Sequence, residues 1–254
     1  MKALILASGK GERLRPLTET TNKGMLLVAG KPVLEHIVEN CIRHGIIDFV
    51  FAVGIKKEQV KDYFRDSKSY ELPGRTVRAY FAYAESDRIE NTAGEIAKAR
   101  QFLASEQDFL FHYGDALTNL DIAACFAFHK KTGAAITSPG MKEVYTESGI
   151  YVCAGDGKVK SFHEKPFVND LAEMPGIFSN VPVYWINGSV LESPNVAFGK
   201  DFNADVVPGF VAQGKVSVYY QKGLWHLDVG DLKKYRAICE AFESGHQAQL
   251  RKLA

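Results

Sequence analysis

Residues 1–18 read MKALILASGKGERLRPLT, an apolar run followed at once by glycines and cations. Residues 3–7, ALILA, are continuously apolar, as expected of a strand covered on both faces. Three mechanisms place glycines after a first strand. A dinucleotide-binding turn needs G-x-G-x-x-G opening a helix. Gly9 and Gly11 fit it, but Leu14 holds the third place and Pro16 obstructs a helix. A P-loop needs G-x-x-x-x-G-K-[ST], which is absent. The third option is a loop that stays a loop. Its backbone N–H groups face a phosphate chain, and nearby cations neutralise the charge. Arg13, Arg15 and Lys23 can supply those cations. An ordinary turn with solvated charges fits the two glycines equally well.

Outward from this stretch, strands and helices alternate. Val33, Leu34, Ile37, Val38, Cys41 and Ile42 form one helical stripe, which His44-Gly45 ends. Further helices are expected at 56–64, 92–103 and 120–131, and strands at 48–54, 76–84, 108–114 and 133–139. Such alternation implies βαβ units and a mainly parallel sheet. After residue 140 the pattern changes. Residues 148–162 read as a hairpin turning at Gly155-Asp156-Gly157. VPVYWI (181–186) and KVSVYYQ (215–221) are further strands, and 231–243 is a last helix with Leu232, Tyr235, Ile238, Cys239 and Phe242 inward. The expected fold class is α/β: a doubly wound, mixed, mainly parallel Rossmann-like sheet with an added β portion in the C-terminal half.

Composition bounds the function. A chain of 254 residues suits one large α/β domain or two small ones. Net charge is +1, from 31 basic and 30 acidic residues, so any basic site is local and no nucleic-acid partner is expected. No run of about 18 apolar residues suggests a membrane span, and no signal peptide is evident. Cys41, Cys125, Cys153 and Cys239 are scattered without metal-ligand spacing, which reads as reduced thiols and a cytoplasmic protein.

FLFHYGD (109–115) places Asp115 just past the carboxyl end of an apolar strand. Ligands of open α/β sheets bind at that edge. If this strand and the first are parallel, the glycine loop and the carboxylate share one edge. Mg²⁺ suits such a place, because it takes few protein ligands and binds substrate phosphates. A turn aspartate is the plain alternative.

These residues resemble the signature of the sugar-1-phosphate nucleotidylyltransferases, L-A-x-G-x-G-x-R-L-x-P-L-T, then a lysine, then G-K-P-x-x-E. The resemblance continues through ENTAGEI, HYGDALTNLD, SGIYV, FHEKP, SNVPVYW and WHLDVGDLKKY, in order and over nearly the whole chain. It implies a single nucleotidyltransferase domain over 1–254. The nucleotide-binding part would span about 1–140, the sugar-phosphate-binding part about 141–230, and a C-terminal helix 231–245. It also implies Mg²⁺-dependent transfer of a nucleoside monophosphate to a sugar 1-phosphate, with pyrophosphate leaving.

Carried onto this chain, the resemblance assigns Leu6, Ala7, Ser8, Gly9 and Gly11 to the nucleotide and its phosphates, and Thr92 and Gly94 to the base segment. Arg13 and Lys23 become catalytic cations. Gly149, Glu164, Lys165 and Asn180 match sugar-phosphate positions, and Asp115 and Asp228 metal ligands. Ser8, Glu12, Gly24, Asn91, Pro182 and Asp231 depart from the usual residues. Cues to cytidylyl-, uridylyl- and guanylyltransferases conflict, with a lean to a pyrimidine triphosphate. A homo-oligomer is compatible. A non-sugar phosphate or phosphonate acceptor, and a non-catalytic nucleotide sensor, are the alternatives.

Overall fold

The computed structural model describes residues 1–85, 88, 90–142, 149–155, 157–164 and 176–243. Its strands are β1 (Lys2–Ala7), β2 (Leu27–Val28), β3 (Lys31–Pro32), β4 (Asp48–Val53), β5 (Ser67–Leu72), β6 (Arg75–Glu85), β7 (Asp108–Tyr113) and β8 (Ala116–Thr118). They continue with β9 (Ile136–Met141), β10 (Ile150–Cys153), β11 (Val159–His163), β12 (Ile177–Asn180), β13 (Val183–Asn187), β14 (Val216–Tyr220) and β15 (His226–Asp228). The α-helices are α1 (Leu17–Thr20), α2 (Val33–Arg43), α3 (Lys57–Phe64), α4 (Thr92–Leu103), α5 (Ile122–Thr132), α6 (Val207–Ala212) and α7 (Leu232–Glu243). The chain forms two compact units. One is built from Met1–Ile89, His112–Asn119 and Trp225 onward, the other from Glu90–Phe111 and Leu120–Leu224.

The first unit is organised by β1, β4 and β6, paired parallel, with β5 added antiparallel on β6. Its core is aromatic: Phe51 lies 5.7 Å from Phe81 and 4.8 Å from Phe64 of α3, ring centre to ring centre. The stripe of α2 is buried throughout, from Val33 to Ile42. Burying each such side chain contributes roughly 1.5–3 kcal/mol. Parallel pairing sets Ala7 opposite Val53, so the carboxyl ends of β1 and β4 lie side by side. That edge is where α/β sheets place ligands. A short antiparallel pair, β8 with β15, belongs to the same unit.

The second unit carries the added β portion of the C-terminal half together with α4, α5 and most of β7. β9 pairs antiparallel with β12 and β13, and parallel with β14, while β10 links β11 and β12. Tyr184, Trp185, Phe111 and Phe202 fill its core, and Trp185 Nε1 donates to Ile122 O at 3.2 Å. A buried polar cluster joins Asp108 to Lys130 at 2.8 Å, Asn187 at 3.0 Å and His129 at 3.2 Å. These partners hold the Asp108 carboxyl below its ordinary range against the opposing effect of burial.

The expected mixed α/β architecture, parallel core and added β portion, is the one observed. The 148–162 hairpin is present as β10 and β11, with Asp156 of its turn outside the described residues. One expectation is corrected. Pro16 does not prevent a helix; it is the N-cap of α1. A proline lacks only the N–H that a helix start leaves unused, and its φ is already helical.

Candidate active site

The glycine loop leaves β1 at Ala7 and bends through Gly11, whose φ is 66°. Thr18 Oγ1 donates to Gly11 O at 2.7 Å, and a Cβ at Gly11 would meet Thr18 Cγ2 at 2.8 Å. Glycine is therefore required there twice, by backbone angle and by packing. Gly9 differs: a Cβ on it would meet nothing within 4 Å. The protein itself does not demand glycine at that point, and the space suits a ligand. Among the described residues, none accepts the amides of Gly9, Lys10 or Gly11. Ser8 is buried, and Arg13 is exposed.

Lys23 opens a short 3₁₀ turn and forms an ion pair with Asp115 through its ammonium. Gly24 is a departure from the family pattern with a steric reason: its Cβ would meet Leu34 Cγ of α2 at 2.6 Å. The turn is tightly packed against α2.

Asp115 is carried by another close approach. A Cβ on Gly114 would sit 1.8 Å from Leu6 O, so only glycine lets this chain pass against β1. Asp228 ends β15, opposite Ala116, and the next amide, Val229 N, donates to Asp115 O at 2.9 Å. Burial and the Asp115 charge raise the Asp228 carboxyl above its ordinary value, with Lys23, Lys234 and Arg13 opposing. Asp228 thus feels the charge of Asp115 and, in the opposite sense, those of Lys23, Lys234 and Arg13. Asp228 does not cap α7. Asp231 does, accepting from Lys234 N at 2.9 Å.

The donor set fits a small divalent ion. No group of three or more metal-ligating side chains exists among the described residues. Two carboxylates in mutual repulsion, one already paired with an ammonium, suit an ion that takes its remaining ligands from phosphates and water. His112 and His226 lie beside them. Burial pushes both imidazoles down to about 4, so both are neutral at pH 7. His112 Nδ1 is 2.7 Å from Tyr113 O, which assigns the ring proton there.

The second unit gathers other predicted residues. Asn180 N donates to Gly149 O at 2.9 Å, and a Cβ at Gly149 would meet Glu164 Oε2 at 2.8 Å. Gly149, Asn180 and Glu164 are therefore neighbours, whereas Lys165 lies outside the described residues. The Asn180 amide also donates to Tyr184 Oη at 2.8 Å. Thr92 and Gly94 open α4. The Thr92 hydroxyl donates to Asp201 at 2.8 Å and accepts from Phe202 N at 2.7 Å, so that side chain is spent on its own unit. Asn91 ties to Gly199 O at 3.1 Å.

The sequence reading passed over Thr18 and Gly114, which shape the site without chemistry of their own. Gly114 alone carried a visible signal, a glycine directly before a candidate carboxylate. A cavity of about 370 Å³ also lies in the first unit, lined by His36, Asn40, Arg43, Trp225 and Phe242 among others. None of the predicted site residues lines it.

Comparison with known proteins follows the same lines. Among relatives, a UTP–glucose-1-phosphate uridylyltransferase of Synechocystis is 29% identical over 245 residues, 92% of this chain. The match spans only 61% of that relative's length. A glucose-1-phosphate cytidylyltransferase of Salmonella typhimurium is 28% identical over 240 residues, 89% of this chain and 90% of its own. The crystal structure of a UDP-glucose pyrophosphorylase with UDP-glucose superposes with a TM-score of 0.78 at 18% identity, covering 96% of this chain and 99% of that one. It shares the fold. No helix among the described residues is long and apolar enough to cross a membrane. A family model described as nucleotidyl transferase matches residues 2–245, and the chain belongs to that family.

Proposed function

We propose that the protein transfers a nucleoside monophosphate from a nucleoside triphosphate to a sugar 1-phosphate and releases pyrophosphate. One observation carries this reading: Lys23, Asp115 and Asp228, with Arg13 close enough to act on Asp228, converge at the end of β1 beside a glycine loop with unaccepted amides. The relatives named above act on glucose 1-phosphate, which supports the acceptor class.

In this reading the amides of Gly9 to Gly11 cradle the triphosphate, and Leu6 to Ser8 lie along the nucleoside. A phosphate oxygen of the sugar 1-phosphate attacks the α-phosphorus, a new P–O bond forms, and the bond to the pyrophosphate oxygen breaks. Arg13 and Lys23 stabilise the charge that develops on those oxygens, the kind of effect that removing one donor weakens by about 10²-fold or more. Asp115 and Asp228 would hold Mg²⁺, which when bound supplies neutralisation of the phosphate chain. Gly149, Glu164 and Asn180, with Lys165, receive the sugar phosphate, and the opening of α4, at Thr92 and Gly94, meets the base. A pyrimidine base is the first choice to test.

The experiment is pyrophosphate release over a panel of four nucleoside triphosphates and several sugar 1-phosphates. Release should need triphosphate, acceptor and Mg²⁺ together. Equal release in excess chelator contradicts the metal, and binding of triphosphates without release on any acceptor favours a nucleotide sensor instead.

A further inference from the structure

Asn22 is 3% exposed, and none of the roles above uses it. Its amide nitrogen donates to Ala7 O at 3.0 Å and to Ile55 O at 2.9 Å. Its Oδ1 accepts from Gly24 N at 2.9 Å, and its backbone N–H donates to Gln59 Oε1 at 2.7 Å. Ala7 ends β1 and Ile55 follows β4, two adjacent parallel strands. One side chain therefore bridges the two strand ends at the ligand edge and caps the turn that carries Lys23. An amide has two N–H donors and an acceptor, and all are used. Aspartate would offer the acceptor but no donors to the two carbonyls. Gln59 extends the clamp, donating to Thr20 O at 2.7 Å, and Lys56 donates to Thr18 O at 2.9 Å. Leu34 closes the other side of the turn against Gly24.

We propose that Asn22 is a positioning residue, fixing the Lys23 backbone relative to the glycine loop so that its ammonium reaches the phosphates. This rests on the role of Lys23 proposed above. A misplacement of about 1 Å can cost on the order of 10²-fold in rate. A residue that acts through Lys23 has nothing left to position once the ammonium is gone.

The test is a double-mutant cycle. Asn22→Ala should lower kcat about 10²-fold with Lys23 present, and less than about threefold in Lys23→Ala protein. An equal loss in both backgrounds, or no loss in the native one, overturns the proposal. Where Asn22→Ala fails to fold, Gln59→Met serves instead, since it removes the acceptor of the Asn22 backbone N–H from a half-buried position on α3. It should lower kcat several-fold in the native background and have no effect without Lys23. A Lys23→Ala protein as active as the native one refutes the role of Lys23 and takes this proposal with it. An impaired Lys23→Ala protein that loses fully again on Asn22→Ala refutes positioning alone. Should no substrate pair turn over, which contradicts the proposed function, the cycle is read as calorimetric Kd for magnesium pyrophosphate. Weaker binding in Asn22→Ala only while Lys23 is present supports the proposal, and an unchanged Kd overturns it.

Discussion

Gly114→Ala places a methyl 1.8 Å from Leu6 O and 3.0 Å from Leu6 C. Ordinary contact begins near 3.4 Å, so the methyl and β1 must part by about 1.6 Å. Both opposing atoms are backbone of a buried strand, and no flexible side-chain end can yield. Overpacking typically costs about 1–3 kcal/mol, and a backbone-on-backbone clash belongs at the top of that range or above it. Asp115 is the next residue, so relief of the clash displaces its carboxylate by something like 1 Å, worth about 10²-fold in rate. Urea titration gives the stability, and pyrophosphate release per folded molecule gives the activity. Gly9→Ala is the matched contrast. Its methyl meets nothing, so stability should change by less than about 0.5 kcal/mol. Turnover should still fall about tenfold or more, because the methyl takes space left for phosphate beside preorganised amides. A stable, active Gly114→Ala protein refutes the packing argument. A fully active Gly9→Ala protein refutes the loop as a phosphate cradle.

Arg13→Ala should lower kcat about 10²-fold while leaving the urea midpoint nearly unchanged, because Arg13 is exposed and supports little core. An unfolded variant with native activity per folded molecule contradicts that. Burial holds His112 near 4 against an ordinary 6.5, so between those values the unfolded chain binds a proton that the folded chain refuses. The contribution of His112 is then complete above about pH 6.5 and is lost as pH drops toward 4, about 3 kcal/mol from this one group. His226, held near 4 as well, adds a like slope, so His112→Gln should reduce the slope of urea midpoints from pH 7 to 4.5 by about half, and an unchanged slope sinks the argument. Asp121 caps α5, accepting from Ala124 N at 2.8 Å, so Asp121→Ala should cost about 1 kcal/mol in urea denaturation without altering KM.

Much of the fold was readable where burial imposes a period. ALILA, the α2 stripe and FLFHY are apolar because both faces or one full face are covered, and their boundaries agree within a few residues. What escaped is what composition does not mark. β5 reads SKSYEL, polar because it is an edge strand with one buried side chain, Tyr70. β8 and β15 have three residues each, too short for any period. Pro16 reads as a helix breaker in the linear sequence, yet at a helix start its missing N–H and fixed φ cost nothing. At the site, charged residues at strand ends announced themselves, since isolated charges in apolar runs need a reason. Asn22 and Thr18 did not, because the hydrogen bonds that tie them to Gly11, Ala7 and Ile55 reach 7 to 33 residues along the chain and exist only in the folded state.

The most direct test of nucleotidyl transfer follows the α-phosphorus itself. Nucleoside triphosphates labelled with ³²P at the α position are incubated with glucose 1-phosphate and Mg²⁺, using native protein and Asp115→Asn. With native protein the α label should appear in a nucleotide-sugar, label placed at the γ position in a parallel incubation should appear only in pyrophosphate, and Asp115→Asn should slow both about 10²-fold or more. Label released as free nucleoside monophosphate, or transfer by Asp115→Asn at the native rate, contradicts it.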